Sequence, residues 1–191
     1  MTTATAHGNG RTPWRIAAWG GAAALWLLPA VAMQFTDEVT WTAFDFILFG
    51  AMLGSAAGAF ELLIRMSGSL FYRTAAAIAM GGAFLLTWVN LAVGIIGDEG
   101  NPANLMYGGV LAAGVLGAVM TRFRAKGMAH TLFAMAATQF LIGAVALAAD
   151  LGTGGPIWPR DVLGLTGFFV VLWLVAGFLF RNAAEDEAAA A

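Results

Sequence analysis

The chain has 191 residues, of which 60% are hydrophobic and 10% are charged, and its formal net charge is −2. Soluble domains carry about 25% charged residues, and the mean hydropathy of +0.80 also indicates a membrane protein. The chain has no cysteine, which excludes disulfides, thiol catalysis, cysteine-ligated iron–sulfur clusters and cysteine zinc sites. The small negative charge gives no reason to expect a nucleic-acid partner.

Six apolar stretches are long enough to cross the hydrocarbon core, which takes about 20 residues of helix. The sequence therefore predicts an all-α membrane protein with six transmembrane helices, arranged as three helical hairpins. The predicted helices cover residues 14–33, 41–65, 71–97, 102–120, 128–149 and 162–180. They form one membrane domain, 14–181, between a disordered polar leader at 1–13 and a frayed acidic tail at 182–191.

The first helix has a second interpretation. Arg11 and Arg15, the apolar run and the small residues at 30–32 also resemble a signal peptide with its cleavage site. We favour a retained helix, because the run is longer than a usual signal core and residues 34–38 look like a turn between two helices.

Histidine gives no haem site in this sequence. His7 lies in the polar leader, and His130 follows the basic residues Arg124 and Lys126, which indicates a position at the membrane interface. We therefore expect no bis-histidine haem, and the identity of any cofactor is left open.

Lysine and arginine are distributed unequally over the two sides that six spans define. One side has Arg160 alone, whereas the side of the termini has Arg11, Arg15, Arg65, Arg73, Arg122, Arg124, Lys126 and Arg181. Short loops rich in lysine and arginine stay in the cytoplasm. The distribution predicts that both termini are cytoplasmic.

Polar side chains inside or beside the spans are candidates for a pathway, because polar groups within a bilayer must find partners. The candidates for a substrate or ion pathway are Glu61, Asn90, Asn104, Tyr107 and Gln139. The alternatives are structural. Arg65 lies four residues after Glu61, which is the spacing of a helical ion pair, and the amides have the chemistry to hydrogen-bond neighbouring helices.

The predicted outer rim is acidic. The candidates for a metal or cation site are Asp37, Glu38, Asp45, Asp98 and Glu99, since carboxylate oxygens bind divalent cations. The alternative is that these residues are ordinary turn and cap residues. Thr42 and Asp45 have the spacing of a capping box, and Asn101 with Pro102 has the pattern of a helix start.

Two stripes of small residues recur at helical spacing and predict close packing of helices. Helix 2 carries Gly50, Gly54 and Gly58, and helix 4 carries Gly109, Ala113 and Gly117. We expect the two stripes to pack against each other or against neighbouring chains.

Two parts of the chain resemble a family of small polytopic inner-membrane proteins of bacteria. The first part is MQFTDEV at 33–39 with Asp45 and Phe46, and the second is 88–97 followed by NPANLMY at 101–107. The resemblance covers most of the chain, from residue 26 to residue 181. It implies a bacterial source, an inner-membrane location and retention of the first helix, and it brings no activity, cofactor or catalytic residue.

The polar candidates and the acidic rim favour a transporter or channel-like protein for an ion or a small solute. The alternative is a structural or accessory subunit, or an assembly factor, that packs through its glycine stripes against a partner or a second copy. A membrane enzyme has less support, because the sequence has no HExxH motif, no paired intramembrane aspartates and no serine with a plausible base. The bilayer itself is the first expected partner.

Overall fold

The computed structural model describes residues 12–190, with the backbone alone at 12–15, 17 and 18. Those residues form helices and no β-strand, which confirms the all-α prediction. The helices are α1 (Thr12–Ala32), α2 (Ala43–Met66), α3 (Leu70–Ala92), α4 (Tyr107–Met120), α5 (Ala125–Ala148) and α6 (Arg160–Ala189), and a short 3₁₀ helix (Pro102–Met106) leads into α4.

Five of these segments are long and apolar enough to cross a membrane, and this length and composition are consistent with an integral membrane protein. They are Ala43–Met66, Leu70–Ala92, Pro102–Met120, Ala125–Ala148 and Arg160–Ala189. The apolar stretch in α1, Trp19–Ala32, is shorter. The count of six spans and the orientation of the termini stay predictions.

Two helices end at other places than the sequence predicts. Helix α3 stops at Ala92 rather than at residue 97, because Gly94 has a left-handed backbone, with φ of +73°. Helix α6 runs through the acidic tail to Ala189, so the prediction that this tail is frayed is wrong. Alanine and glutamate are strong helix formers, and Ala183 is completely buried, which anchors this last part of the helix.

The chain divides into two compact units with a boundary between Gly58 and Ala59. In the first unit, the described residues are 12–58. The indole nitrogen of Trp26 in α1 donates a hydrogen bond of 2.8 Å to the Phe46 carbonyl in α2. Gly50 lies directly against this indole, since a Cβ at that position would come within 2.8 Å of Nε1. This contact agrees with the expectation that Gly50 lets a neighbouring helix approach closely.

The second unit contains the end of α2 and the helices α3 to α6. Helix α6 packs along α5 and α3, and α5 packs along α4. Phe169, Trp173 and Phe180 on α6 are fully buried in the core of this unit. At one end of the unit, the Tyr72 hydroxyl donates a 2.8 Å hydrogen bond to the Phe123 carbonyl, and the Tyr72 ring meets the edge of Phe180.

Glycines set the distances between the helices of the second unit. Gly143 of α5 lies against Thr166 of α6, and Gly82 of α3 lies against Trp173. On α4, Gly117 lies against Thr131 and the neighbouring Gly114 against Met135. By contrast, a Cβ at Gly54, Gly58 or Gly109 would meet no atom within 4 Å in the part of the chain that the structure describes.

Candidate functional site: a buried polar cluster among α3 to α6

The loop that follows α3 is held by one side chain, Asn104. Its Oδ1 accepts hydrogen bonds from the backbone N–H groups of Ile95 and Ile96, at 2.9 and 2.8 Å. Its Nδ2 donates to the carbonyls of Ile96 and Asp98, at 3.3 and 2.7 Å. An asparagine amide accepts two hydrogen bonds and donates two, so the hydrogen-bonding capacity of Asn104 is fully used. These hydrogen bonds give Asn104 a structural role in the loop, and its place in a pathway stays a prediction.

The same loop is tied to the loop between α5 and α6. Asn101 caps the 3₁₀ helix through its Oδ1, as its position before Pro102 predicts, and its Nδ2 donates a 2.7 Å hydrogen bond to the Leu151 carbonyl. The backbones at Gly97 and Gly155 are so close that a Cβ on Gly155 would lie 2.8 Å from the Gly97 Cα. We call residues 94–101 and 151–158 together the loop cap.

The acidic candidates of the first unit lie at the start of α2 and in the turn before it. The Asp45 carboxylate accepts hydrogen bonds of 2.7 and 2.8 Å from the Thr42 N–H and hydroxyl, so the two residues form the capping box that their spacing predicts. Asp37 and Glu38 are exposed in the preceding turn. Their prediction as cation ligands gains no geometric support within this unit.

The acidic candidates of the second unit are also either paired with a nearby residue or exposed. Glu61 pairs with Arg65 one turn later, which is the structural alternative that their spacing suggests. Asp98 and Glu99 are exposed in the loop cap. Between residues 12 and 190, no three histidine, aspartate or glutamate side chains form a group that could hold a metal ion.

Five polar side chains in the second unit have buried atoms that find no hydrogen-bond partner among the described residues. These atoms are Asn90 Oδ1, the Tyr107 hydroxyl, both amide atoms of Gln139, the Thr166 hydroxyl and Trp173 Nε1. Gln139, Tyr107 and Trp173 are at most 1% exposed. We call these five residues the buried polar cluster.

Contacts between the helices place the cluster in one region of the unit. The Tyr107 hydroxyl of α4 lies close to the Thr166 hydroxyl of α6, near enough for the two oxygens to interact, although the pair falls short of full hydrogen-bond geometry. Thr166 lies against Gly143 of α5, and Gln139 is one helical turn from Gly143, on the same face.

The other two members follow from the antiparallel packing of α3 and α6. Tyr72 contacts Phe180, and Gly82 contacts Trp173. Residue numbers therefore increase along α3 in the direction in which they decrease along α6. Asn90 therefore comes level with residues 162–165 of α6. Trp173 lies about 10 Å further along α6, at 1.5 Å per residue. Four helices thus each contribute to one interior region that begins beneath the loop cap.

Leaving these groups without partners is energetically costly. A buried polar group without a hydrogen bond costs roughly 1–3 kcal/mol, and in hydrocarbon no solvent relieves that cost. Other hydroxyls of the bundle avoid it, since Thr87 and Thr131 donate to the carbonyls four residues before them. The cluster therefore differs from the other hydroxyl groups of the bundle, and buried polar atoms without a hydrogen-bond partner require an explanation.

The sequence predicts three of the five members as pathway residues, namely Asn90, Tyr107 and Gln139. It does not single out Thr166 and Trp173, although both have recognisable signals. Thr166 carries the only hydroxyl between residues 162 and 180. Trp173 lies near the middle of an apolar helix, whereas membrane tryptophans prefer the interfaces.

Known proteins give this site no counterpart. Comparisons of the chain with protein-family models, with curated proteins and with solved structures find no match. A role for the cluster therefore has to be inferred from its own chemistry.

The structural role of Asn104 has a direct test in the Asn104→Leu variant, which keeps a similar volume and removes all four hydrogen bonds. We expect the backbone amides of Ile95 and Ile96 to lose their protection from hydrogen exchange, and the free energy of unfolding to fall by roughly 2–5 kcal/mol. Asn182→Leu, at an exposed position of α6, is the control. Unchanged exchange at both amides would contradict the role of Asn104.

Proposed function

We propose that this protein binds a small polar solute or ion in the buried polar cluster and passes it across the bacterial inner membrane. The observation that carries the proposal is Gln139, a fully buried amide with neither polar atom paired among the described residues. Polar groups retained at depth in a membrane mark pathways for solutes. Three further helices bring polar atoms of the same kind to the same region.

The position of the cluster supports this proposal. It begins beneath the loop cap, at the end of the second unit where α4 and α6 start. The cap closes that end through the contact between Asn101 and Leu151 and the close approach of two glycine backbones. A solute that enters from this side has to pass the cap, so the cap is the natural place for a gate.

We also propose six spans with both termini in the cytoplasm. The distribution of basic residues over the two ends of the second unit supports this orientation. The end of the unit where Tyr72 hydrogen-bonds to Phe123 carries Arg73, Arg122 and Arg124. The opposite end has the loop cap and Arg160. The excess of basic residues at the first end is the pattern of a cytoplasmic face.

The absence of native cysteine makes this orientation simple to test. We expect a single cysteine at Asp98→Cys to react with a membrane-impermeant maleimide added to intact spheroplasts, because the loop cap faces outward. We expect Lys126→Cys to react only after the membrane is permeabilised. The reverse pattern would contradict the proposed orientation.

The proposed function is tested by solute and ion flux into proteoliposomes. We expect at least one member of a panel of monovalent ions and small polar solutes to enter faster than in protein-free vesicles. Gln139→Leu should reduce that flux about tenfold or more, which corresponds to the loss of about 1.4 kcal/mol of interaction. The matched control is Thr138→Val, the adjacent residue, whose hydroxyl donates to the Ala134 carbonyl of its own helix.

A flux that is equal in the wild type and in Gln139→Leu would contradict a role of the cluster. Every variant is first checked for monodisperse behaviour and thermal stability in detergent, so that loss of flux is distinguished from loss of fold.

A second candidate function is that of an accessory subunit that packs through α2 against a second copy or a partner. Gly54 and Gly58 favour it, because a Cβ at either position would meet no described atom within 4 Å, and small residues let helices approach closely in lipid. Gly54→Leu should then abolish co-purification of the partner or of a differently tagged copy. Ala56→Leu, on the opposite face of α2, should have no effect, and an equal loss in both variants would contradict this role.

A further inference from the structure

We infer that the buried polar cluster takes a small uncharged solute that both donates and accepts hydrogen bonds, as amides and polyols do. This inference rests on the proposed function and narrows its solute to one chemical class. It follows from the hydrogen-bonding groups of the cluster, from its lack of charge and from the close packing of the helices around it.

The cluster offers donors and acceptors together. Gln139 contributes one of each, and because both of its amide atoms are unpaired among the described residues, this does not depend on which is oxygen and which is nitrogen. Asn90 contributes an acceptor, since its Nδ2 already donates to the Leu86 carbonyl at 2.8 Å. Trp173 Nε1 is a donor only, whereas the hydroxyls of Tyr107 and Thr166 serve as either.

The cluster carries no formal charge. Among the side chains that the structure describes, no aspartate, glutamate, lysine, arginine or histidine is buried. The carboxylate whose charge acts on Tyr107 is Asp161. It lies in the first turn of α6, where its Oδ1 accepts a hydrogen bond of 2.8 Å from the Val162 N–H. It therefore borders the cluster and is not a member of it.

A charged solute is poorly served by these groups. A buried ion costs far more than a buried neutral group unless an opposite charge or several oxygen ligands compensate it. The cluster gives a cation two amide oxygens and two hydroxyls, and it also presents the N–H groups of Gln139 and Trp173, which repel positive charge. An anion would find donors and no basic partner.

The helices around the cluster are closely packed. Gly143 is so close to Thr166 that a Cβ there would overlap the threonine side chain, and the same holds for Gly82 and Trp173. Because glycine is needed at both places, the helices are close together around the cluster. Such close packing excludes a solute as large as a sugar.

The experiment compares solute classes in one set of proteoliposomes. Entry of urea, acetamide and glycerol is followed by light scattering after an osmotic step, and entry of Na⁺ and K⁺ by a voltage-sensitive dye. We expect at least one of the three uncharged solutes to enter at least about ten times faster than in protein-free vesicles. Sucrose, Na⁺ and K⁺ should enter at the protein-free rate.

Two variants connect the flux to the cluster. Gln139→Leu should return the entry of the uncharged solute to within about twofold of the protein-free rate. Thr166→Val, which replaces one hydroxyl by a methyl group of equal size, should slow it severalfold and keeps the test decisive if Gln139→Leu does not fold. Thr138→Val should leave the rate unchanged.

The possible results separate this inference from the proposed function. Entry of Na⁺ or K⁺ that is lost in Gln139→Leu or Thr166→Val, without entry of uncharged solutes, would overturn the uncharged class and leave the proposed function in place. The absence of any flux that depends on these residues would overturn both, and the cluster would then hold bound water only. Entry of sucrose at the rate of urea would overturn the size limit.

Discussion

In a membrane helix bundle, a polar group that is removed from water must find its hydrogen bonds within the protein, and the structure of this chain is organised by that requirement. Most groups meet it locally. Threonines donate to carbonyls of their own helices, and the start of α2 is closed by Asp45 and Thr42. Where the backbone leaves helical geometry after α3, Asn104 supplies four hydrogen bonds in one place.

The buried polar cluster is where this requirement is not met by the described residues. Its members come from α3, α4, α5 and α6. The Tyr107 and Thr166 hydroxyls lie close together without full hydrogen-bond geometry, and neither amide atom of Gln139 has a partner among those residues. The close glycine contacts between the helices hold these groups in position. That combination of a fixed frame and unmet hydrogen bonds is what a binding site for a polar solute requires.

The features that sequence alone could predict are those that depend on neighbours along the chain. Apolar runs predict the helices, Asn101 with Pro102 predicts a helix start, and the spacing of Glu61 and Arg65 predicts their ion pair. The glycine spacing on α4 predicts the close approach at Gly117, but Gly114, outside the predicted stripe, is equally close to α5. A repeat of small residues shows that an approach is possible and does not identify the helix that makes it.

The features that sequence could not predict depend on contacts between distant residues. Asn104 and Tyr107 are three residues apart and have the same pattern in the sequence. Yet Asn104 is saturated by the backbone of residues 95–98, whereas the Tyr107 hydroxyl is unpaired among the described residues. The hydrogen bond from Asn101 to Leu151 joins residues 50 positions apart. Whether a buried side chain is structural or available to a solute is decided by such contacts, and so it becomes visible only in the folded chain.

The cluster, as we interpret it, completes its hydrogen bonds with something other than protein. The most direct test is an experimental density map of the wild-type protein in lipid nanodiscs, at a resolution that shows ordered small molecules. We predict density that belongs to no residue within hydrogen-bonding distance of the Gln139 amide and the Thr166 hydroxyl. A map in which both amide atoms of Gln139 bond directly to protein groups, with no space between the helices, would contradict this interpretation.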